Sequence, residues 1–436
     1  MRWWRVGVLA GCLTVVTFLC AAAFTWWAWS VVHPESEAGT ADLQAVVTGT
    51  GRIALVGEDG NIWTVSPDGK DLVAITDDAS RSTQIYRYPT WSPDGRMLAF
   101  VELPQDAVPI PSDSALHLLA TESGERQRIP TDFPPFYLYW SPTSEMLAFL
   151  SNWTTGGLAL RMVDVAGDAH EVITIARGNP FYFSWNPDGA KMLAHIGGEE
   201  LVLLDQDGHR EPLDVEPGLF QAPHWSEDGE RLAFVTEAEG TEDTLVVADA
   251  SGENVAEVSS ARGLFTFNWS PDNRRLAYSF TLQRIGLAGF GPLWVRDLEA
   301  NRAWELSKMP VVAFFWSPDG KKVAFLRPEL RRRDQRPPQA SPPKQESRLW
   351  FRWHIWNGER TYPLARFSPT RSFLLDYLRY FDQYAQSVSL WSPDSQTLLY
   401  AGTGEDGRRG IWTLPVEESS TPQRIARGVL ATWSSQ

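Results

Sequence analysis

Cysteine is nearly absent from this chain. Of its 436 residues only Cys12 and Cys20 carry a thiol, and both lie in an apolar stretch near the N-terminus. The rest therefore has no disulfide, no thiolate zinc site and no cysteine nucleophile. Its stability has to come from an ordinary hydrophobic core. Histidine is sparse too. The seven present (His33, His117, His170, His195, His209, His224 and His354) form no pair at ligand spacing, so no metal site is expected. His195 and His224 flank repeat positions and read as packing residues. Positive charge is also short: the net charge is −15. That disfavours nucleic acid, or an anionic lipid surface, as a partner of the body of the protein.

What is present falls into two parts. From Val6 to Val32 no residue is charged, a run of 27. At about 1.5 Å per residue it outspans the roughly 30 Å core of a bilayer. Arg2 and Arg5 precede it, and Trp26, Trp27 and Trp29 stand at its far end. The positive-inside rule then predicts a cytoplasmic tail (1–5), a transmembrane helix acting as signal anchor (6–32) and a polar tether (33–50) on the extracytoplasmic side. A cleaved signal peptide is the rival reading, through Ala21-Ala22-Ala23. The exported part holds 37 basic against 54 acidic residues, a net of −17.

The second part is periodic. Trp91-Ser92-Pro93-Asp94-Gly95 is followed by Met97-Leu98-Ala99-Phe100, and the pattern returns at Trp140, Trp185, Trp225, Trp269, Trp316, Trp391 and Trp433. Successive spacings are 49, 45, 40, 44, 47, 75 and 42 residues. A period near 40–50 with short alternating strands predicts an all-β fold, a β-propeller of four-stranded blades. Pro presets φ in the turn after each first strand, and Gly takes the positive φ that ends it. Thr143-Ser144 and Asp394-Ser395 depart from this chemistry and predict looser turns. The segment Arg52–Val56 reads as a second strand without a first, and Trp433 ends a first strand without a second. The two are expected to pair, closing a ring of eight blades over residues 51–436, with seven as the alternative.

This repeat resembles the WD-like repeats of TolB-type β-propellers and the propeller domains of prolyl-oligopeptidase-like peptidases. The resemblance covers about residues 51–436 and implies a fold and a habit of binding proteins or peptides rather than an activity. No Gly-x-Ser-x-Gly elbow is present for a hydrolase domain.

Strand alternation puts the tight Ser-Pro-Asp-Gly turns on one face and the longer connections on the other, where binding is expected. Two insertions interrupt the period there. Residues 327–347 are basic and proline-rich and read as disordered. Residues 372–386 place Phe373, Tyr377, Phe381 and Tyr384 at helical spacing, with Ser372 as cap. This helix is expected near the central opening, as a plug or as a binding element. In the binding reading Asp376, Arg379, Tyr380, Asp382 and Tyr384, with Arg284 from a neighbouring loop, meet a ligand. The expected function is that of a non-enzymatic binding module. Its partner would be a protein, a peptide or an envelope component, with another membrane protein among the candidates. No cofactor, catalytic residue or nucleic acid is expected. The alternative is a propeller hydrolase or lyase whose acids, such as Asp376, Asp382 and Glu237, gather at the channel mouth.

Overall fold

The structure, a computed structural model, describes residues 51–80, 83–104, 113–167, 170–219, 221–237, 242–281, 284–285, 288–289, 291–329 and 349–435. The chain divides into two units, Met1–Leu43 and Gln44–Gln436, and the described residues belong to the second. The expected tail, membrane helix and tether lie outside them, as does most of the basic insertion. Among the described residues no helix is long and apolar enough to cross a membrane.

The expected strands form, and the sequence explains where each one stops. In the second repeat, strands Gln84–Trp91, Met97–Pro104, Ser114–Ala120 and Arg126–Thr131 pair in order as an antiparallel sheet. Six four-stranded antiparallel sheets occur among the described residues. A seven-stranded sheet joins the Trp316 and Trp391 repeats, because Ser368 and Pro369 at the end of the first pair with Thr403 and Gly402 of the second. Trp391 supplies the inner position of that last repeat by bridging Leu398. The fold is a β-propeller.

The N- and C-terminal strands meet as expected. Ile53–Val56 pairs on one side with Ile62–Val65 and on the other with Leu430–Trp433, in the register Ile53↔Trp433 to Val56↔Leu430.

The repeat turn is a small hydrogen-bonded unit. Ser92 Oγ accepts from Met97 N–H (2.9 Å) and donates to Asp94 Oδ1 (2.6 Å), which accepts from Arg96 N–H (3.0 Å). The Ser226–Asp228, Ser317–Asp319 and Ser392–Asp394 pairs repeat it. Gly95, Gly189, Gly229 and Gly320 take positive φ at the fifth position. A Cβ on Gly229 would sit 3.3 Å from Pro187 Cδ, so this position also abuts the preceding repeat.

That contact corrects the expectation of looser turns. Ser144 and Ser395 adopt the same backbone (φ 64° and 61°), and their turns close at 2.9 Å. Their hydroxyls reach backward and accept from Asp94 N–H (3.1 Å) and Asp319 N–H (3.0 Å) of the preceding repeats. The departures from glycine cross-link neighbouring blades.

The inner strands are buried on both faces, in unbroken runs rather than in alternation. The eight motif tryptophans are all buried, as are Leu98, Ala99 and Phe100 and their counterparts. Each large ring removes about 200 Å² from water, worth about 5 kcal/mol.

Candidate functional site

The first strands of the repeats line a central channel, and the chain fills part of it. Residues 373–384 form three short helical pieces: a wide π-type turn at Phe373–Tyr377, a 3-10 turn at Leu378–Tyr380 and an α-turn at Phe381–Tyr384. Phe373, Tyr377, Leu378 and Phe381 join the core, with Phe381 edge-on to Phe314 at 5.2 Å. The cap is Thr370 rather than Ser372: Thr370 Oγ1 accepts from Phe373 N–H (3.1 Å), while Ser372 Oγ accepts from Arg87 (2.9 Å).

One residue pins this plug, although the helical pattern sets it on the polar side. Gln383 is 1% exposed. Its Oε1 accepts from Phe183 N–H (3.0 Å) and its Nε2 donates to Phe183 O (2.7 Å). The amide thus pairs with the channel-facing edge of a first strand as a further peptide group would. Tyr137 Oη donates to Gln383 O (3.0 Å).

The residues expected to bind part company. Asp382 is 3% exposed and enclosed beside Gln383. Tyr384 is half-buried, edge-on to Tyr137 at 4.9 Å. Desolvation drives its phenol well above the ordinary value. Asp376 is half-buried and lies 3.8 Å from Arg87. Desolvation raises its pKa, and the Arg87 charge opposes this. Tyr88 is close enough to Asp376 to feel its charge, and desolvation pushes its phenol to about 12. Arg379 is exposed, with its guanidinium over the Tyr380 ring at 5.2 Å. Arg284 belongs to a short hairpin, Arg284–Ile285 with Ala288–Gly289, that lies against the Leu378–Tyr380 turn. The Arg284 side chain is outside the described residues.

Past the plug the channel opens, at the face where the tight turns gather. A cavity of about 710 Å³ is floored by Ala385–Leu390 and walled by all eight motif tryptophans. Four of their indoles donate around the ring to the residue before the previous motif tryptophan: Trp140 to Thr90 O, Trp185 to Tyr139 O, Trp316 to Asn268 O and Trp391 to Phe315 O, at 3.1–3.3 Å. Pro93, Pro142, Pro187, Pro271 and Pro318 form the rim.

Glu227 breaks that rim. It stands where these repeats have proline, and it is the one charged side chain among the lining residues. Losing proline gives this position an N–H, and Asn273 of the following repeat, itself in place of glycine, accepts it (2.7 Å). The Glu227 carboxyl reaches solvent, yet desolvation by its surroundings raises its pKa. His224, also lining, is driven down to about 3 by burial and is neutral at ordinary pH. The sequence signal was available, as Trp225-Ser226-Glu227-Asp228-Gly229 differs from its counterparts at one position. No group of three or more His, Cys, Asp and Glu among the described residues suits a metal ion.

No family model matches the chain. A 190-residue stretch is 28% identical to the uncharacterized peptidase YuxL of Bacillus subtilis, covering 42% of this chain and 26% of the peptidase. A stretch of 88 residues is 38% identical to the Tol-Pal system protein TolB of Hahella chejuensis, covering 20% of this chain and 18% of that protein. The match thus spans about a quarter or less of each relative. Among solved structures, a eukaryotic initiation factor superposes with a TM-score of 0.53 at 13% identity, covering 89% of this chain and 98% of that one. At that identity the likeness is one of fold alone.

Proposed function

For a chain that is a TolB-like β-propeller, we propose a non-enzymatic binding role in which the basin on the tight-turn face receives a segment of a protein or peptide partner. We take the ring as eight-bladed, held by residues 6–32 on the extracytoplasmic side of a bacterial cell membrane. The observation that carries the reading is Glu227, a lone carboxylate on a rim of prolines above tryptophan walls. Such a basin favours a lysine, arginine or free amine: the walls take the aliphatic stem and the carboxylate takes the charged head. The acidic charge of the body adds long-range attraction for such a partner.

A second reading places the contact at the opposite end, on Asp376, Arg379, Tyr380 and Tyr384. It is favoured by the exposed Arg379, which no carboxylate among the described residues engages. The enzymatic alternative, a hydrolase or lyase, needs paired acids. Of its candidates, Asp382 is enclosed and Asp376 sits against Arg87.

The test is affinity capture with the full chain in detergent, followed by direct titration of the captured partner. Binding to the basin should weaken about tenfold in Glu227→Gln and further in Glu227→Lys. Unchanged binding in both variants, with loss in Arg379→Ala, would move the site to the opposite end.

A further inference from the structure

A different cluster lies between the second and third repeats. Arg161 belongs to the strand Leu158–Asp164 and is 5% exposed. Its Nε is fully enclosed and has no hydrogen-bond partner among the described residues. No ion pair forms between its guanidinium and any described residue. The group lies over two aromatic rings instead, 5.5 Å from the centre of Trp153 and 5.9 Å from that of Phe133. Arg177, on the adjacent strand Val172–Gly178, covers the same indole at 3.8 Å. Its pairing with Ala159, two residues before Arg161, puts both arginines on one face of the sheet. Trp153 is held over them by a turn that closes between Trp153 and Gly157, with Gly156 and Gly157 both at positive φ.

A guanidinium carries five donors and is seldom buried without an acceptor. Ring faces offset part of the desolvation cost but accept none of those hydrogen bonds in full. Asp132 acts on Arg161 only at a distance, and Arg177 adds a second positive charge nearby. No carboxylate among the described residues pairs with either guanidinium, and the oxygens of an oxyanion can bridge two such groups.

We propose that Arg161, Arg177 and Trp153 form an oxyanion-binding site, for a carboxylate or phosphate group, separate from the tryptophan basin. Arg161 supplies a largely buried guanidinium with its Nε enclosed, Arg177 closes the site from the solvent side, and the Trp153 indole lies against both.

The experiment is isothermal titration of the full chain in detergent with sodium phosphate and, separately, with sodium acetate, at matched ionic strength in chloride. Saturable binding of one stoichiometric anion is expected, and the better-bound anion tells phosphate from carboxylate. Arg177→Gln changes an exposed residue and should keep the fold; it should weaken binding about tenfold, the loss of one charge-assisted contact. Arg161→Gln should abolish binding. Absence of saturable binding to either anion overturns the proposal. So does binding of unchanged strength in Arg177→Gln and Arg161→Gln.

Discussion

The side-chain amide of Gln383 hydrogen-bonds both the N–H and the C=O of Phe183, a residue 200 positions earlier in the chain. This makes the plug part of the sheet system. Truncation to alanine would leave two backbone groups unpaired in a buried place and remove the Nε2 donor to Tyr137 Oη, while Tyr137 keeps the Gln383 carbonyl as its acceptor. Gln383→Ala should therefore cost about 2–4 kcal/mol, measured by urea denaturation. Gln383→Glu should cost at least as much, because a carboxylate accepts from Phe183 N–H but repels Phe183 O. A Gln383→Ala protein as stable as wild type would mean that the plug is held by its aromatic packing alone.

Ser395 and Asp319 separate two effects that usually travel together. Ser395 holds a left-handed backbone and also accepts from Asp319 N–H. Ser395→Ala keeps the strain and loses the bond, so it should destabilise by about 1 kcal/mol. Ser395→Gly loses the same bond but relieves the strain, so it should fall within about 0.5 kcal/mol of wild type. Thermal melts of the two variants check the order. Alanine as stable as glycine would show that the backbone strain is not felt.

How much of this was legible depends on how local the cause is. The strands, their ends and the Ile53–Trp433 closure could be read because a turn motif and short apolar runs are written in adjacent residues. The aromatic spacing from Phe373 to Tyr384 located the plug for the same reason. Gln383 could not be read as its anchor, because its partner is the open edge of a strand far away in sequence. Arg161 reads as one more residue of a strand, and no sequence shows that its guanidinium forms no ion pair with a described residue. Glu227 is the instructive case. The repeat itself supplies the comparison, since Glu227 stands where Pro93, Pro142, Pro187, Pro271 and Pro318 stand, but the long loops draw the expectation of binding to the other face.

Glu227 makes a prediction about pH. Desolvation raises its folded-state pKa above the ordinary 4.5. A carboxyl shifted upward favours the folded state in its protonated form. Its contribution is complete below pH 4.5 and is lost as pH rises through the raised value. Wild type and Glu227→Gln should therefore be closest in stability at low pH, with the variant gaining relative to wild type as the carboxylate ionises. The neighbouring lining histidine, His224, stays neutral across this window because its own pKa lies near 3. Affinity for a cationic partner runs the other way, rising as Glu227 ionises. Paired melting curves from pH 4 to 8, about one unit apart, check the first sign. A difference that shrinks as pH rises would contradict the assigned shift.

The closure of the ring offers the most severe test of the architecture. Leu430–Trp433 covers the edge of Ile53–Val56, a strand whose four side chains are all buried. Val429 N–H to Val56 O (2.8 Å) and Ser434 N–H to Arg52 O (2.7 Å) extend the pairing at both ends. Ending the chain after Gly428 would bare that edge and take Ala431 and Trp433 out of the core. The loss of one large buried ring costs about 3–5 kcal/mol, and the lost strand pairing adds to it. Together they rival the 5–15 kcal/mol that holds a typical domain folded. The truncated protein should aggregate or melt without cooperativity, because an open apolar strand edge is a template for further pairing. A synthetic peptide of residues 429–436 added in trans should restore part of the cooperative melt. A monodisperse truncated protein that melts within about 3 °C of wild type would show that the ring does not depend on this strand.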